Sequence, residues 1–197
     1  MKYKNIVFDF GNVLGTFDPD YILKQFCDAE EDFSLLYDAL YENWQALDEG
    51  SIDYETVIHT TLSRIPARLH PQATAFFKDW YLHLPALSQT YDFVRELIEQ
   101  KVPVYLLSNA STYFSEHAME ICNVLKDFDG ILFSGPVHLA KPDPQIYTLL
   151  FEQFSLKPEE CFFIDDNAEN IKASRSLGMD GIVFTGDIEA VKKAIEF

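Results

Sequence analysis

The 197-residue sequence predicts an α/β fold: a parallel β-sheet flanked by helices, with one helical subdomain inserted after the first strand. Short, continuous apolar runs such as Val104–Leu107 are typical of strands that are buried on both faces. From Tyr91 onward, such runs alternate regularly with segments of helical periodicity. Residues 17–85, in contrast, carry helical patterns and no convincing strand.

The first strand is predicted at the N-terminus, where the apolar run Ile6–Phe8 ends at a carboxylate, Asp9. Gly11 follows two residues later, which is typical of a strand that opens into a turn. Open α/β sheets carry their functional residues at the carboxyl ends of strands. Taken alone, Asp9 is equally compatible with a turn or helix cap.

The insertion is predicted to contain four helices, because apolar residues recur at helical spacing between clear start and stop signals. The first opens at Asp18–Pro19, and the others span about 33–44, 53–64 and 71–83. We therefore expect a core of residues 1–16 and 86–197 and a cap of residues 17–85. The aromatic residues Tyr41, Trp44 and Trp80 could face a substrate, although packing inside a small helical core explains them more simply.

The remaining core elements follow in regular alternation. Strands are predicted at 104–107, 131–133, 161–164 and 181–184. Helices are predicted at 91–100, 112–121, 144–154, 167–177 and 188–195.

Composition narrows the possible functions. The formal net charge of -17 repels phosphate backbones, which argues against nucleic-acid binding. A phosphorylated small molecule would need a local cation or a bound metal at its site. No apolar run is long enough to span a membrane, and the N-terminus lacks signal-peptide features, so we expect a cytoplasmic protein. Cys27, Cys122 and Cys161 fit buried, reduced thiols.

Polar side chains from separate parts of the chain converge on the carboxyl ends of the predicted strands. Besides Asp9 they are Ser108, Asn109, Lys141, Asp165 and Asp166. Pro142 and the helix cap Asp143 would hold Lys141 in a loop over the crevice. Each residue also has an ordinary explanation, as a helix cap or a solvated surface cation, but these explanations would all have to hold at once.

This set of residues is suited to phosphoryl transfer. Asp165 and Asp166, with Asp9 nearby, form an oxygen-rich site of the kind that Mg²⁺ prefers. Lys141 can compensate phosphoryl charge, and the Ser108 hydroxyl can hydrogen-bond a phosphoryl oxygen. Asp9 as nucleophile would form an aspartyl-phosphate that water then hydrolyses.

The order and spacing of these segments resemble the four motifs of the haloacid dehalogenase (HAD) superfamily of phosphohydrolases, along the whole chain. FDFGNVL, which contains Asp9, is similar to the first motif, Leu107–Asn109 to the second, Lys141 to the third, and Ile164–Asn167 to the fourth. The segments FDFGNVL, AKPDPQIY and FIDDNAENI are similar to the subgroup that contains α-D-glucose-1-phosphate phosphatase. The resemblance implies a Rossmann-like sheet in the order 5-4-1-2-3 and a helical C1 cap.

The resemblance also implies roles for individual residues. Asp9 would be the nucleophile and a metal ligand. The other metal ligands would be the backbone carbonyl of Gly11, Asp166 directly, and Asp165 directly or through water. The residues expected to contact the substrate are Ser108, Asn109 and Lys141. Together these roles describe a Mg²⁺-dependent phosphatase that acts on a small phosphorylated metabolite such as a sugar phosphate.

One position departs from the family pattern. Typical phosphatases of the family carry a second Asp two residues after the nucleophile, where it acts as general acid and base, whereas this chain has Gly11. Such help is worth roughly 10²- to 10⁴-fold in rate. We therefore expect a slow enzyme or a substrate with a good leaving group, such as an anomeric sugar phosphate. Water, a cap residue and Asn12 are the candidates for the missing role.

Two other functions remain open. A 2-haloacid dehalogenase would use the same carboxylate to attack carbon and would need no metal, which the acid pair Asp165–Asp166 argues against. A non-catalytic HAD-like binding protein would explain Gly11. The sequence carries no clear sign of oligomeric state.

Overall fold

The computed structural model describes residues 1–197 and contains one five-stranded parallel sheet. Its strands are β1 (Asn5–Phe8), β2 (Val104–Ser108), β3 (Gly130–Phe133), β4 (Cys161–Asp165) and β5 (Asp180–Val183). They lie in the order β3-β2-β1-β4-β5, which is the predicted order read from the other edge. In the centre of the sheet, Phe8 pairs in register with Leu106 on one side and Ile164 on the other. The carboxyl ends of β1, β2 and β4 therefore meet at one edge.

The cap contains five α-helices where the periodicity predicts four. They are α1 (Pro19–Lys24), α2 (Glu30–Tyr41), α3 (Trp44–Asp48), α4 (Tyr54–Arg64) and α5 (His70–Asp79), followed by a 3-10 turn at Trp80–His83. The helix predicted at 33–44 is confirmed as α2, but its predicted end was wrong, because Asn43 leaves the helical conformation, with φ -105° and ψ 15°. Apolar spacing continues across this break, so the pattern Leu36, Leu40, Trp44 does not reveal it.

The core helices lie on both faces of the sheet. They are α6 (Ser88–Glu99), α7 (Thr112–Ile121), α8 (Ser134–Val137), α9 (Pro144–Phe154), α10 (Ala168–Ser176) and α11 (Ile188–Ile195). The predicted helices are confirmed with shifts of a few residues at their ends, and the single turn α8 falls where we expected a loop. No helix combines the length and apolar character that a bilayer crossing requires.

The sheet separates two apolar cores, because successive residues of a strand point to opposite faces. Val7 packs in a cluster of 11 buried residues beneath α9 and α10, whereas Ile6 and Phe8 join a cluster of 38 buried residues on the other face. The larger cluster continues into the cap through residues such as Phe76 and Trp80. Cap and core therefore share one apolar interior. All three cysteines are buried and unpaired, as predicted.

The chain passes between core and cap twice, and the two passages lie side by side. The N–H of Thr16 donates to the carbonyl oxygen of Pro85 at 2.8 Å, and the N–H of Leu87 donates to that of Leu14 at 2.9 Å. Between them, Gly15 pairs with Ala86 in an isolated antiparallel bridge. These contacts make a short two-stranded ribbon beside the carboxyl end of β1.

Candidate active site

The sheet brings the predicted strand-end residues together. Asp9 directly follows β1, and its N–H donates to the carbonyl oxygen of Ile164 in β4 at 2.9 Å. Ser108 and Asp165 are the last residues of β2 and β4, and both are buried. The rule that parallel strands gather functional residues at their carboxyl ends therefore predicted this arrangement.

Lys141 is buried between two of these carboxylates. Its Nζ lies 2.8 Å from Asp9 Oδ1 and 2.8 Å from Asp165 Oδ2, and it donates to the carbonyl oxygen of Leu107 at 2.9 Å. Its side chain is 1% exposed. Lys141 lies in the predicted loop, between α8 and α9, but its side chain does not extend over the crevice, because it is buried against the two carboxylates. It is no solvated surface cation.

The charges of this group depend on one another. Burial raises the pKa of Asp9 to about 6, although Lys141 opposes that change. Burial acts to lower the pKa of Lys141, but Asp9 and Asp165 outweigh it and raise that pKa above its ordinary value. The lysine is therefore charged at neutral pH. Asp9 Oδ1 accepts hydrogen bonds from Lys141 and from the N–H of Phe10, while Oδ2 has no partner within the chain.

Asp165 is held firmly from several sides. Oδ1 accepts the N–H of Asn167 at 2.7 Å, and the Asn170 amide lies 3.0 and 3.1 Å from the two carboxylate oxygens. Helix α10 is capped by Asn167, whose side chain accepts the N–H of Glu169. Capping is therefore not the role of Asp165 or Asp166. The sequence reasoning missed Asn167 and Asn170, although their positions directly after the acid pair were a usable signal.

Asp9, Asp165 and Asp166 form a cluster that could hold a metal ion. Each offers a carboxylate oxygen, and these oxygens lie within 4.8 Å of one another. Two of the residues are buried and Asp166 is exposed, so the cluster opens toward solvent on one side. Three carboxylate oxygens on fixed elements match the hard, oxygen-rich donor set that Mg²⁺ requires.

The turn after β1 orients the exposed member of this cluster. Asn12 has a left-handed backbone, with φ 54°, and its amide donates to Asp166 Oδ2 at 2.9 Å. Its Oδ1 accepts the N–H of Phe17 at 3.0 Å. Gly11 leaves open space, because a Cβ added there would meet no atom within 4 Å. Crowding by neighbouring atoms therefore does not explain why residue 11 is a glycine.

Ser108 and Asn109 have different roles. The Ser108 side chain borders the cavity beside Asp9, and the cap of α7 is Ser111, so the capping explanation for Ser108 was wrong. The Asn109 amide donates to the carbonyl oxygen of Lys141 at 2.8 Å and accepts the Lys141 N–H at 2.8 Å. Asn109 therefore fixes the backbone that carries the buried lysine, and its contact with substrate stays a prediction.

A cavity of about 170 Å³ lies between these residues and the cap. Its core side carries Asp9, Gly11, Ser108 and Asp166. Its remaining wall is mainly aromatic and apolar, formed by Phe10, Phe17, Trp44, Trp80, Leu84, Ala110 and Phe114. The cavity thus combines a group of acidic and polar residues with an extensive aromatic and apolar lining.

The cap residues that the sequence singled out divide between this cavity and the cap interior. Trp44 and Trp80 line the cavity. Tyr41 does not, since its ring packs on Trp44 and its hydroxyl donates to the carbonyl oxygen of Pro19. His138 lies outside the cavity, with Nδ1 2.7 Å from the carbonyl oxygen of Gly50.

Asp48 is a cavity residue that the sequence reasoning missed. It is the last residue of α3 and lines the same cavity as Asp9. Burial raises the pKa of its carboxyl group well above the usual range, although the N–H of Ser111 donates to it, and the charges of Asp9 and Glu49 add to the increase. In the sequence, Asp48-Glu49-Gly50 is an ordinary turn signal, and it does not indicate that the turn docks against the core.

Comparison with known proteins agrees with this arrangement. A family model described as haloacid dehalogenase-like hydrolase matches residues 3–178. The chain belongs to this family. Its structure is similar to that of the HAD family enzyme bt-2542 from Bacteroides thetaiotaomicron in complex with magnesium and inorganic phosphate, with a TM-score of 0.73 and 24% identity over 96% of this chain and 98% of the other. That likeness concerns the fold.

Two curated relatives of this family member are phosphatases. The sesquiterpene phosphatase astK of Aspergillus oryzae is 27% identical over 189 residues, which cover 94% of this chain and 92% of the relative. The phosphorylated carbohydrates phosphatase of Thermotoga maritima is 23% identical over 125 residues, which cover 64% of this chain and 56% of the relative. The chain is therefore a HAD-like hydrolase with phosphatases among its relatives.

Proposed function

We propose that this HAD-like hydrolase is a Mg²⁺-dependent phosphatase that acts through an aspartyl-phosphate on Asp9. The observation that carries the proposal is the cluster of Asp9, Asp165 and Asp166, with Lys141 buried against it, beside a cavity. A phosphoryl group placed there would have a carboxylate nucleophile next to a metal site, which is the requirement for this chemistry.

The donor set fits a magnesium ion. Asp9, Asp166 and the backbone carbonyl of Gly11 would hold it directly. Asp165 already accepts hydrogen bonds at both carboxylate oxygens, which favours contact through a water molecule. When bound, the ion neutralises phosphoryl charge, which an anionic protein otherwise repels.

The protein's own groups provide the nucleophile, its orientation and a hydrogen bond to the phosphoryl group. Asp9 Oδ2, which has no partner within the chain, attacks phosphorus as the ester bond to the leaving alcohol breaks. Lys141 and the Phe10 N–H hold Oδ1 and so fix the orientation of the nucleophile. The Ser108 hydroxyl donates to a phosphoryl oxygen. Water then attacks the aspartyl-phosphate, which releases inorganic phosphate and restores the Asp9 carboxylate.

The aromatic and apolar lining of the cavity bears on the substrate class. We propose a small phosphorylated metabolite, and a sugar phosphate such as glucose 1-phosphate remains the first candidate, because its anomeric oxygen leaves readily without strong acid help. The carbohydrate phosphatase relative from Thermotoga maritima supports this choice. The aromatic wall of Phe17, Trp44 and Trp80 favours a second candidate, the phosphate ester of an apolar alcohol. The sesquiterpene phosphatase relative supports that one.

The two rival functions make different demands on the same residues. A 2-haloacid dehalogenase would use Asp9 to attack carbon, and three clustered carboxylates would then have no purpose. A non-catalytic binding protein would not need the buried lysine that orients Asp9.

A substrate panel run with and without EDTA tests the proposal. Sugar phosphates, prenyl and alkyl phosphates and 2-chloropropionate are incubated with the protein in Mg²⁺, and released phosphate or chloride is measured. We expect phosphate release that EDTA abolishes and that Asp9→Asn lacks. Chloride release that persists in EDTA would assign the dehalogenase reaction, and a wild type that is inactive on every compound would favour the binding protein.

A further inference from the structure

Asp48 is the only ionisable residue that the cap contributes to the wall of the cavity. The Ser134 hydroxyl donates a hydrogen bond to its backbone carbonyl oxygen, and the N–H of Ser111 donates to its carboxyl group. Ser111 is the cap of α7 and Ser134 begins α8, so two separate core elements hold Asp48 in place. The backbone of Asp48 is therefore fixed at the boundary of cap and core, and the residue lines the cavity that Asp9 also lines.

Gly11 and Asn12, which also line the cavity, supply no group that can exchange a proton. Gly11 has no side chain, and the space beside it is open. The Asn12 amide is committed to Asp166 and to the N–H of Phe17, and an amide does not titrate. Besides Asp48, the cavity has only two ionisable residues, Asp9 and Asp166. These are the nucleophile and a metal ligand in the function proposed above.

The surroundings of Asp48 favour its protonated form. Asp9 and Asp166 share its cavity, Glu49 follows it in the chain, and no lysine or arginine lines the cavity. The His138 ring contacts the carbonyl oxygen of Gly50, which lies two residues after Asp48 in the chain. Burial and the nearby acids raise the pKa of Asp48, which is the direction that a general acid at neutral pH needs.

We propose that Asp48 is the general acid and base of this site, a conclusion that rests on the phosphatase function proposed above. In the first step, the carboxyl O–H of Asp48 gives a proton to the bridging ester oxygen. At the same time the bond between that oxygen and phosphorus breaks, and a bond between Asp9 and phosphorus forms. The products are a neutral alcohol, the aspartyl-phosphate and the Asp48 carboxylate. In the second step, the carboxylate accepts a proton from water as the water oxygen bonds to phosphorus and the bond to Asp9 breaks. Asp48 is thereby protonated again and inorganic phosphate is released.

The dependence on the leaving group distinguishes this role from a structural one. Asp48→Asn retains an acceptor for the Ser111 N–H but has no carboxyl proton. We expect its kcat/KM to fall roughly 10²- to 10⁴-fold for alkyl or sugar phosphates, whose leaving oxygen must be protonated. For p-nitrophenyl phosphate, whose leaving group needs no proton, the fall should be small. The ratio kcat/KM reports the steps up to alcohol release, so slower hydrolysis of the intermediate does not affect it.

Two further measurements test the assignment of Asp48 as general acid and base. In the wild type, kcat/KM for an alkyl phosphate should decrease as pH rises and Asp48 ionises, and Asp48→Asn should lack this decrease. Adding Gly11→Asp to Asp48→Asn places a carboxyl group in the open space and should recover at least part of the alkyl phosphate activity. Asp38→Asn is the matched control, since this exposed acid of α2 does not line the cavity and should behave as wild type.

The outcomes separate the two proposals. Equal losses on both substrate types, or a pH profile unchanged in Asp48→Asn, would overturn the role of Asp48 and leave the phosphatase function standing. A wild type that hydrolyses neither substrate would overturn the phosphatase function and this role with it. Thermal unfolding of each variant shows whether an equal loss on both substrates comes from unfolding. In that case Asp48→Glu, which retains a carboxyl group, should recover the alkyl phosphate activity that Asp48→Asn lacks.

Discussion

Replacing Lys141 with methionine should destabilise the protein by about 3–5 kcal/mol at neutral pH. Methionine preserves the length of the side chain but removes the charge that Asp9 and Asp165 share. Keeping one aspartate protonated at pH 7 costs about 4 kcal/mol, because pH 7 lies about three units above the unfolded pKa of about 3.9 and each unit is worth about 1.4 kcal/mol. Asp165 is 0% exposed and has no other cation beside it, so the buried carboxylates would lose their only compensating charge.

The loss should depend on pH in a defined direction. In the wild type, burial raises the pKa of Asp9 to about 6, so its contribution to stability is complete below the unfolded pKa and is lost as pH rises through about 6. Without Lys141 that pKa rises further, and the contribution is lost over a wider range. Below about pH 6 Asp9 is protonated in both proteins, so the stability difference between variant and wild type should widen as pH rises above about 6.

Thermal unfolding followed by circular dichroism in EDTA measures both effects. The expected loss corresponds to a decrease in melting temperature of roughly 6–20 °C for a chain of this size. Lys172→Met is the matched control, because this lysine is 77% exposed and its removal should leave the melting temperature unchanged. A Lys141→Met protein that melts with the wild type, or a difference that does not vary with pH, would refute the reasoning.

Three further outcomes are expected around Asp9. Asp9→Asn should reduce phosphate release to the uncatalysed level, while an unchanged circular dichroism spectrum shows that the fold is retained; residual turnover would exclude Asp9 as nucleophile. Gly11→Asp should leave kcat/KM for alkyl phosphates close to that of the wild type, because the new side chain enters open space and Asp48 already supplies the proton, and a roughly 10²-fold increase would contradict the role of Asp48. Asn12→Gly should weaken Mg²⁺ binding, measured by calorimetry, roughly 10- to 100-fold, because Asp166 loses the amide that orients it; unchanged affinity would contradict this role.

Much of the site could be predicted from the sequence, because it depends on a rule of topology. Once the apolar runs ending at Asp9, Ser108 and Asp165 are identified as parallel strands, their last residues must lie together whatever else surrounds them. Lys141 could be assigned to the site for the same reason. Its burial could not, because it results from the mutual attraction of three charges and not from any apolar pattern around it.

Features of the cap were less predictable. The break between α2 and α3 at Asn43 lies inside a continuous apolar period, so local pattern favours one long helix. Asp48 belongs to the site only because α3 docks where Ser111 and Ser134 can reach it, and those residues lie far away in the chain. Tertiary docking of this kind leaves no trace in local spacing.

The ribbon formed by residues 14–16 and 85–87 limits how the cap can move. The two passages are hydrogen-bonded to each other, so the cap is joined to the core here by a paired ribbon and not by two independent strands. The contacts of Asp48 with Ser134 and of Gly50 with His138 join α3 and the turn after it to the core at a second place. In the role proposed for Asp48, substitutions at Gly15 or Ala86 should therefore alter turnover without contacting any reacting atom.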